Sequence, residues 1–283
     1  GSRMLGKWRS MVEQVRQRSR AWTAAGARLL YPPSCLICGS EHLGTRPMQI
    51  SATALETAAE SGDPTGQTLC VTCVRELLPH STHLCRRCGA ERAAPPFQPG
   101  DACAVCQDDE HRFDSVVALG PYRDLLRECV LRIKLPTHEI LTRALAELLA
   151  AKRRADFEAL HLDAILPVPM HWWRRLRRGT NSAELLATHL SNALGVPLHR
   201  SSLYRHRATT PQGELAVTVR RVNLRHALKL RPGCDYQGAR LLVVDDILTT
   251  GVTSDEAARV LFKAGAAAVH IAVLARAIPR SGS

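Results

Sequence analysis

Residues 241–253, LLVVDDILTTGVT, place side chains that bind sugars and phosphates in one short series. An apolar run leads into two adjacent carboxylates, Asp245 and Asp246, which are followed by threonines and a glycine before the next helical pattern. Carboxylates accept hydrogen bonds from vicinal hydroxyl groups, and the N–H groups of a loop at a helix start can hold a phosphate. Two acids, three hydroxyls and one glycine in this order exceed what helix capping requires. The series indicates a site for a phosphorylated sugar.

Cysteines form a second group with possible chemistry. A CxxC turn presents two thiolates to one tetrahedral ion, so two turns can complete a four-thiolate site. Gly39 and Gly89 directly follow two of the pairs, as a tight turn with positive φ requires. The four CxxC pairs are Cys35 and Cys38, Cys70 and Cys73, Cys85 and Cys88, and Cys103 and Cys106.

This spacing predicts two structural zinc sites, that is, a double zinc ribbon. Sequential and interleaved pairing of the four turns both remain open. Redox-active CxxC is the competing interpretation, but four copies outside any thioredoxin-like pattern argue against it. Because no secretion signal is evident, we expect metal-binding thiolates and not disulfides.

The remainder of the chain alternates strand and helix patterns, and an open α/β sheet must position the acids. Ligands of such sheets bind beyond the carboxyl ends of the strands, where Asp245 and Asp246 stand. Alternation of this type predicts a parallel sheet with helices on both faces. The predicted strands are 113–122, 163–170, 240–246 and 266–276; the predicted helices are 123–134, 138–155, 181–194 and 254–264, the last with Gly265 as its C-cap.

The chain divides by composition into three parts. Residues 1–34 form a basic amphipathic segment that could meet a membrane surface or nucleic acid, or could dock on the protein's own core. Residues 35–110 form the double zinc ribbon, with a flexible polar insertion around 44–68. Residues 111–280 form the α/β domain.

Charge and hydropathy limit the classes of partner. The formal net charge of +12 favours a phosphate-bearing or polyanionic partner. Aromatic residues make up 4% of the chain, which argues against base stacking as the main binding mode. No apolar run approaches the ~20 residues of a transmembrane helix, and the first thirty or so residues lack a signal peptide's apolar core. We therefore expect a cytoplasmic protein without a membrane span.

The series VVDDILTTGVT resembles the 5-phosphoribosyl-1-diphosphate (PRPP) binding signature of type I phosphoribosyltransferases. The whole chain resembles the ComF-type competence proteins, an amidophosphoribosyltransferase-like group with an N-terminal double zinc ribbon. Besides the CxxC turns and this signature, two segments support the resemblance: PVPMHWWRRLRRGTNSAELLA, residues 167–187, and TTPQGELAVTVRRVNLRHAL, residues 209–228.

The resemblance implies roles for individual residues. Asp245 and Asp246 would bind the ribose hydroxyls of PRPP, residues 249–253 its 5-phosphate, and Lys134 its diphosphate, with Mg²⁺ bridging substrate oxygens. Lys134, Asp245 and Asp246 are the implied catalytic residues, in a displacement of diphosphate from the ribose. The implied PRPP-binding residues are Lys134, Arg174, Arg178, Asp245, Asp246, Ile247, Leu248, Thr249, Thr250, Gly251, Val252 and Thr253. Those of a flexible loop are Thr210, Gln212, Arg220 and Asn223.

Two loops near this site depart from the family pattern. Where the family usually has RGFNQ, this chain has Gly179-Thr180-Asn181-Ser182, and after Lys134 it lacks the usual aromatic residue and glycine. These departures are compatible with PRPP binding and leave turnover open.

Three functions follow as hypotheses. The protein is a phosphoribosyltransferase with an unknown acceptor, a single-stranded DNA-handling protein in DNA uptake, or a PRPP-responsive adaptor for a protein partner such as another DNA-uptake protein. Residues 171–178, HWWRRLRR, have a composition suited to single-stranded nucleic acid, to diphosphate, or to a solvated basic loop.

Overall fold

The computed structural model describes residues 34–41, 69–78, 84–92, 103–107, 111–170, 181–206 and 227–278. The amphipathic segment up to residue 33, the insertion around 44–68, and residues 171–180 and 207–226 lie outside this description. Arg174, Arg178 and all four predicted flexible-loop residues belong to those ranges. None of the helices in the described ranges has the length and apolarity to span a bilayer.

Tertiary contacts divide the chain into two compact units, residues 1–71 and 72–283. In the first unit, the backbone closes a turn around the first CxxC pair. Ser34 and Glu41 form an antiparallel bridge, and Gly39 donates its N–H to the Cys35 carbonyl at 2.9 Å. Cys70, from the second pair, donates its backbone N–H to the Cys35 sulfur at 3.4 Å. The domain limits drawn from composition stay a prediction.

The second unit contains a four-stranded sheet in which every described pairing is parallel. Its strand order is β1-β6-β5-β2. Continuous apolar runs such as Leu241 to Val244 can be buried on both faces, which is the condition for a parallel sheet. A separate antiparallel pair, β3 with β4, stands on either side of residues 207–226. The strands are β1, Ser115–Pro121; β2, Ala164–Pro167; β3, Leu203–Arg205; β4, Leu228–Leu230; β5, Arg240–Leu248; and β6, Ala268–Arg276.

Helices pack against both faces of this sheet, which confirms the predicted α/β class. The helices are α1, Val71–Leu77; α2, Asp124–Arg132; α3, Glu139–Lys152; α4, Arg154–Glu158; α5, Ser182–Leu194; and α6, Val252–Lys263. On one face, α5 contacts β2 and β5, and α3 packs on α5. On the other face α6 packs in a core cluster that includes Val116, Ala118, Ala164, Leu166, Leu241, Val243, Val269, Ile271, Ala257, Ala258 and Leu261.

The structure corrects the predicted limits of several elements. The helix predicted over 138–155 is interrupted at Arg153, which has a φ of −115° and donates a side-chain hydrogen bond to the Ala118 carbonyl. β5 extends two residues beyond Asp246, because Ile247 and Leu248 still pair with β6. The C-cap of α6 is Ala264, one residue before the predicted Gly265. The β3–β4 pair is missing from the prediction, because each strand is only three residues long.

The turn around the third CxxC pair lies against the sheet. Val116, near the start of β1, donates its N–H to the Arg86 carbonyl at 2.7 Å. Gly89 has a φ of 73°, and a Cβ on this residue would lie 2.8 Å from Val116 Cγ1. Glycine is therefore required here both for its left-handed conformation and for the close approach to β1.

We expect Gly89→Ala to destabilise the second unit more than Gly195→Ala does. Gly195 has a similar φ of 67° at the end of α5, but nothing lies within 4 Å of its would-be Cβ. Both variants suffer the left-handed strain, and Gly89→Ala adds a steric clash of about 1–3 kcal/mol. Urea unfolding of the two zinc-saturated variants measures the difference. Equal losses would contradict the close packing of this turn on β1.

Candidate functional site

The eight cysteines of the CxxC pairs form two clusters with sequential pairing. The four ligand sulfurs of each cluster lie within 4.8 Å of one another. No disulfide joins any of the ten cysteines, all of which the structure describes. The first cluster is Cys35, Cys38, Cys70 and Cys73; the second cluster is Cys85, Cys88, Cys103 and Cys106. Of the two pairings that the spacing allows, the structure has the sequential one.

Sulfur separations in both clusters match a tetrahedral ion. Four thiolates at the usual Zn–S distance of ~2.3 Å from one ion lie about 3.8 Å apart. The Cys38 and Cys70 sulfurs are 3.8 Å apart, and three of the sulfur pairs in the second cluster are 3.5–3.8 Å apart. A disulfide would instead require ~2.05 Å. Each cluster could therefore hold one metal ion.

The pKa values of the thiols in the second cluster are shifted by burial and by hydrogen bonds between the thiols. A hydrogen bond from the Cys88 thiol is the main cause that lowers the pKa of Cys85 to about 4. The pKa of Cys88 is raised, since its proton is held by that same bond and burial disfavours its charge. Burial likewise raises the pKa of Cys106 to about 11. Four buried thiols cannot all ionise together unless a positive ion compensates them.

The paired acids stand where β5 leaves the core of the sheet. Ser182, the first residue of α5, donates its hydroxyl to Asp246 Oδ2 at 3.0 Å. Lys134, two residues past α2, places its Nζ 3.6 Å from the same oxygen. The N-terminal end of α5 adds partial positive charge beside this carboxylate. Three separate elements therefore converge on Asp246.

Asp245 lies beside Asp246 in a different environment. Burial first, and then the negative charge of Asp246, raise the pKa of Asp245 to about 8. The backbone N–H of Asp246 donates to Asp245 Oδ1 at 2.8 Å and opposes the shift, as does the charge of Arg205. Asp245 therefore retains its proton more readily than an exposed carboxyl does.

Residues 249–253, here called the phosphate loop, comprise the three-residue link between β5 and α6 and the first two residues of α6. Gly251 directly precedes the helix in a left-handed conformation with a φ of 76°. The N–H groups of the first turn of α6 have no partners within the helix, and the helix dipole makes this end favourable for an anion. The loop sequence therefore folds as an anion site requires.

Arg276, at the end of β6, fixes the orientation of the phosphate loop. This residue is 3% exposed, and its Nη1 donates to the carbonyls of Leu248, Thr249 and Ala277. In a trans peptide the carbonyl and the following N–H point in opposite directions. The N–H groups of Thr249 and Thr250 therefore point away from the guanidinium, as binding of an anion requires.

The structure brings the described site residues together at one edge of the sheet. Lys134, both acids and the phosphate loop all lie at or next to the carboxyl end of β5. Leu248 differs, since its side chain is buried in the hydrophobic core. Any contact it makes with a ligand would come from its backbone.

Three contributors were missed by sequence reasoning. Ser182 was noted solely as a departure from the family pattern, yet it holds Asp246. Arg205 is bound through its Nε to the Pro169 carbonyl at 3.0 Å and acts electrostatically on Asp245. Arg276 was not singled out in the sequence, because basic residues are common in this chain. A charged residue at the end of an otherwise apolar strand is the one cue that could have identified it.

The raised pKa of Asp245 gives a pH prediction. The pKa of this carboxyl is raised to about 8 in the folded protein, whereas the unfolded chain ionises it near the ordinary value of 3.8. The folded state therefore binds the additional proton between these values, so stability contributed by this group falls as pH rises, by up to ~1.4 kcal/mol per pH unit.

We expect Asp245→Asn to remove that slope between pH 5 and pH 8. Urea unfolding at several pH values, with zinc saturating, compares the free energy of unfolding of the variant with that of the wild type. The same slope in both proteins would show that Asp245 is ionised in the fold.

Comparison with known proteins agrees with this geometry. Residues 176–281 match the family model of the phosphoribosyl transferase domain. Competence protein F of Haemophilus influenzae is 32% identical over 214 residues, which cover 74% of this chain and 90% of that protein. The DNA utilization protein YhgH of Salmonella typhimurium is 31% identical over 215 residues, which cover 74% of this chain and 91% of that protein.

Among solved structures, an adenine phosphoribosyltransferase of Saccharomyces cerevisiae is 18% identical with a TM-score of 0.32, covering 53% of this chain and 75% of that one. An overlap of this extent carries no argument. The two sequence relatives are informative about the family, because their similarity to this chain extends along nearly their whole length. Together with the two cysteine clusters and the parallel sheet, they show that this chain belongs to the ComF family of competence proteins.

Proposed function

We propose that the protein binds PRPP at the carboxyl end of β5. The observation that supports this most directly is that Ser182 and Lys134 both contact Asp246, which lies three residues before the phosphate loop begins. The loop would hold the 5-phosphate, and the two acids would accept hydrogen bonds from the ribose hydroxyls. Asp245, protonated near neutral pH, could in addition donate one.

Transfer of the phosphoribosyl group is the reaction this site could support. Displacement of diphosphate at the anomeric carbon develops positive charge on the sugar and negative charge on the leaving group. Lys134 would stabilise the leaving group, and the Asp246 carboxylate would face the sugar. When bound with PRPP, Mg²⁺ would neutralise charge on the diphosphate, since it prefers substrate oxygens and few protein ligands. The acceptor is unidentified.

We expect an Asp245→Asn/Asp246→Asn double variant to bind PRPP about a hundredfold more weakly or worse, since hydrogen bonds to charged groups are worth ~1.5–3 kcal/mol each. Calorimetric titration with PRPP and Mg²⁺ measures the affinity. Asp235→Asn, on an exposed turn, is the matched control and should bind like the wild type. Undiminished binding by the double variant would overturn the site assignment.

We also propose that both cysteine clusters hold structural zinc. The donor set is four thiolates in each, at separations that suit a tetrahedral ion. Zinc is redox-inert and prefers this ligand set and geometry. The ions would stabilise segments that are too short to bury a core of their own.

Cys88→Ser should reduce the zinc content from two ions per chain to one, because a cluster with one weak hydroxyl ligand loses most of its affinity. Metal analysis of the purified variant after dialysis measures this. Cys129→Ser changes a buried cysteine outside both clusters and should retain two ions. Retention of two ions by Cys88→Ser would contradict the assignment.

Handling of single-stranded DNA is the second candidate, and the names of the relatives, a competence protein and a DNA utilization protein, favour it. The net charge of +12 agrees with a polyanionic partner. Binding of a labelled single-stranded oligonucleotide should weaken steeply with salt, because phosphate contacts release counterions. If the DNA surface is separate from the PRPP site, the double variant of Asp245 and Asp246 will keep this affinity.

A further inference from the structure

We propose that the second cluster positions the phosphate loop through two residues, Arg87 and His111. Arg87 lies between the two cysteines of the third CxxC pair, and His111 precedes β1. The ligand concerned is the 5-phosphate, so this inference rests on the proposed function. It assigns to a cysteine cluster outside the substrate site a part in forming that site.

The turn that bears Arg87 is fixed on the sheet from two directions. Its backbone accepts a hydrogen bond from Val116 through the Arg86 carbonyl, and Gly89 closes it against the same residue. Glu91, just after the turn, forms an ion pair with Arg123 at 2.8 Å. The turn therefore has a defined place relative to β1, from which the Arg87 side chain extends.

Arg87 donates from Nη2 to the His111 carbonyl at 2.9 Å. The His111 side chain is 2% exposed. Its ring stacks on Phe113, with centroids 4.7 Å apart and the planes 17° apart. Phe113 itself belongs to the hydrophobic core. Arg87 and Phe113 together therefore hold the imidazole in one position.

The His111 ring in turn lies directly against the phosphate loop. A Cβ on Gly251 would lie 2.7 Å from His111 Cε1, so the ring occupies the space next to the left-handed residue. His111 Nδ1 is 3.3 Å from Asp255 Oδ2, in the first turn of α6. The neighbouring backbone N–H of Arg112 donates to Asp255 Oδ1 at 2.9 Å.

Residues 111–112 therefore contact the start of α6 at three points, namely the two carboxylate oxygens of Asp255 and the Cα position of Gly251. Asp255 donates its own N–H to the Gly251 carbonyl at 2.8 Å, which ties it to the loop. Because the phosphate would be bound by N–H groups of this loop, a displacement of Gly251 or of the α6 start changes their direction. Arg276 fixes one end of the loop, and His111 fixes the other.

Through these contacts, binding or loss of the metal ion in the second cluster would change the position of the phosphate loop. The turn that bears Arg87 contributes two of the four thiolates, and loss of the ion removes the constraint that holds it together. Coupling between two binding sites is reciprocal, so a phosphate bound at the loop must also strengthen retention of the ion. Among the described residues, those that form this path are Arg87, His111, Arg112, Gly251 and Asp255, none of which belongs to the first cluster.

The test compares Arg87→Ala with Arg86→Ala, two arginines of the same turn and of the same charge. Arg86 has a side chain that is 85% exposed and makes one ion pair at 3.9 Å, and the carbonyl that binds Val116 is retained in alanine. We expect amide hydrogen exchange of residues 249–255 to rise about three- to tenfold in Arg87→Ala and to stay at the wild-type rate in Arg86→Ala. Equal exchange in the two variants would overturn the inference.

The affinities for two ligands provide a second measurement, and a general structural role of Arg87 would not change one of these affinities without the other. Affinity for ribose 5-phosphate should fall about three- to tenfold in Arg87→Ala, while affinity for magnesium diphosphate, which would contact Lys134 instead of the loop, should stay unchanged. Equal losses for both ligands would overturn the inference. A wild type that binds neither PRPP nor ribose 5-phosphate would overturn the proposed function, and the exchange comparison would still decide the coupling.

Because the coupling is reciprocal, a final measurement is the rate of zinc release from the wild-type chain loaded with zinc. Release of zinc to a chromogenic chelator should slow for one of the two ions when ribose 5-phosphate is present, and Arg87→Ala should abolish that protection. Protection of both ions, or protection that survives in Arg87→Ala, would contradict a path through Arg87 and His111.

Discussion

The parallel register of β5 on β6 determines the position of every other part of the site. Pairing continues to Leu248 opposite Arg276, two residues beyond the acids. As a result Asp245 and Asp246 are held in a hydrogen-bonded strand and not in a loose turn. The same register brings the Arg276 guanidinium beneath the carbonyls of the phosphate loop. A shift of one residue would turn each acid to the opposite face of the sheet and separate Arg276 from the loop.

Two adjacent acids at the end of a buried strand repel each other when both are charged. The structure places more compensating groups around Asp246 than around Asp245. Asp246 receives a hydroxyl, an ammonium group and a helix N-terminus, whereas Asp245 is compensated mainly by one backbone N–H and by Arg205. Because its pKa is raised, Asp245 can donate a hydrogen bond as well as accept one. A sugar with vicinal hydroxyls can use both.

Sequence reasoning identified the parts of the site that are contiguous in the chain. The acids, the threonines and Gly251 form one local signature, and each CxxC pair is a local turn. Ser182, Arg205, Arg276 and His111 were not found, because the hydrogen bonds that make them important reach residues 28 to 144 positions away in the chain. Ser182 is the clearest case, since comparison with a family pattern marked it as a loss. In the fold, its hydroxyl supplies a hydrogen bond to Asp246.

The place of β1 explains why a cysteine cluster belongs next to this sheet. β1 is an edge strand in the order β1-β6-β5-β2, and an edge exposes unpaired N–H and C=O groups. The turn of the second cluster accepts one of those N–H groups, that of Val116, through a backbone carbonyl. Few apolar residues are available in this part of the chain to hold a covering segment in place. Four thiolates around one ion can fix such a segment without a hydrophobic core, and the rigid turn then also reaches His111 and the start of α6.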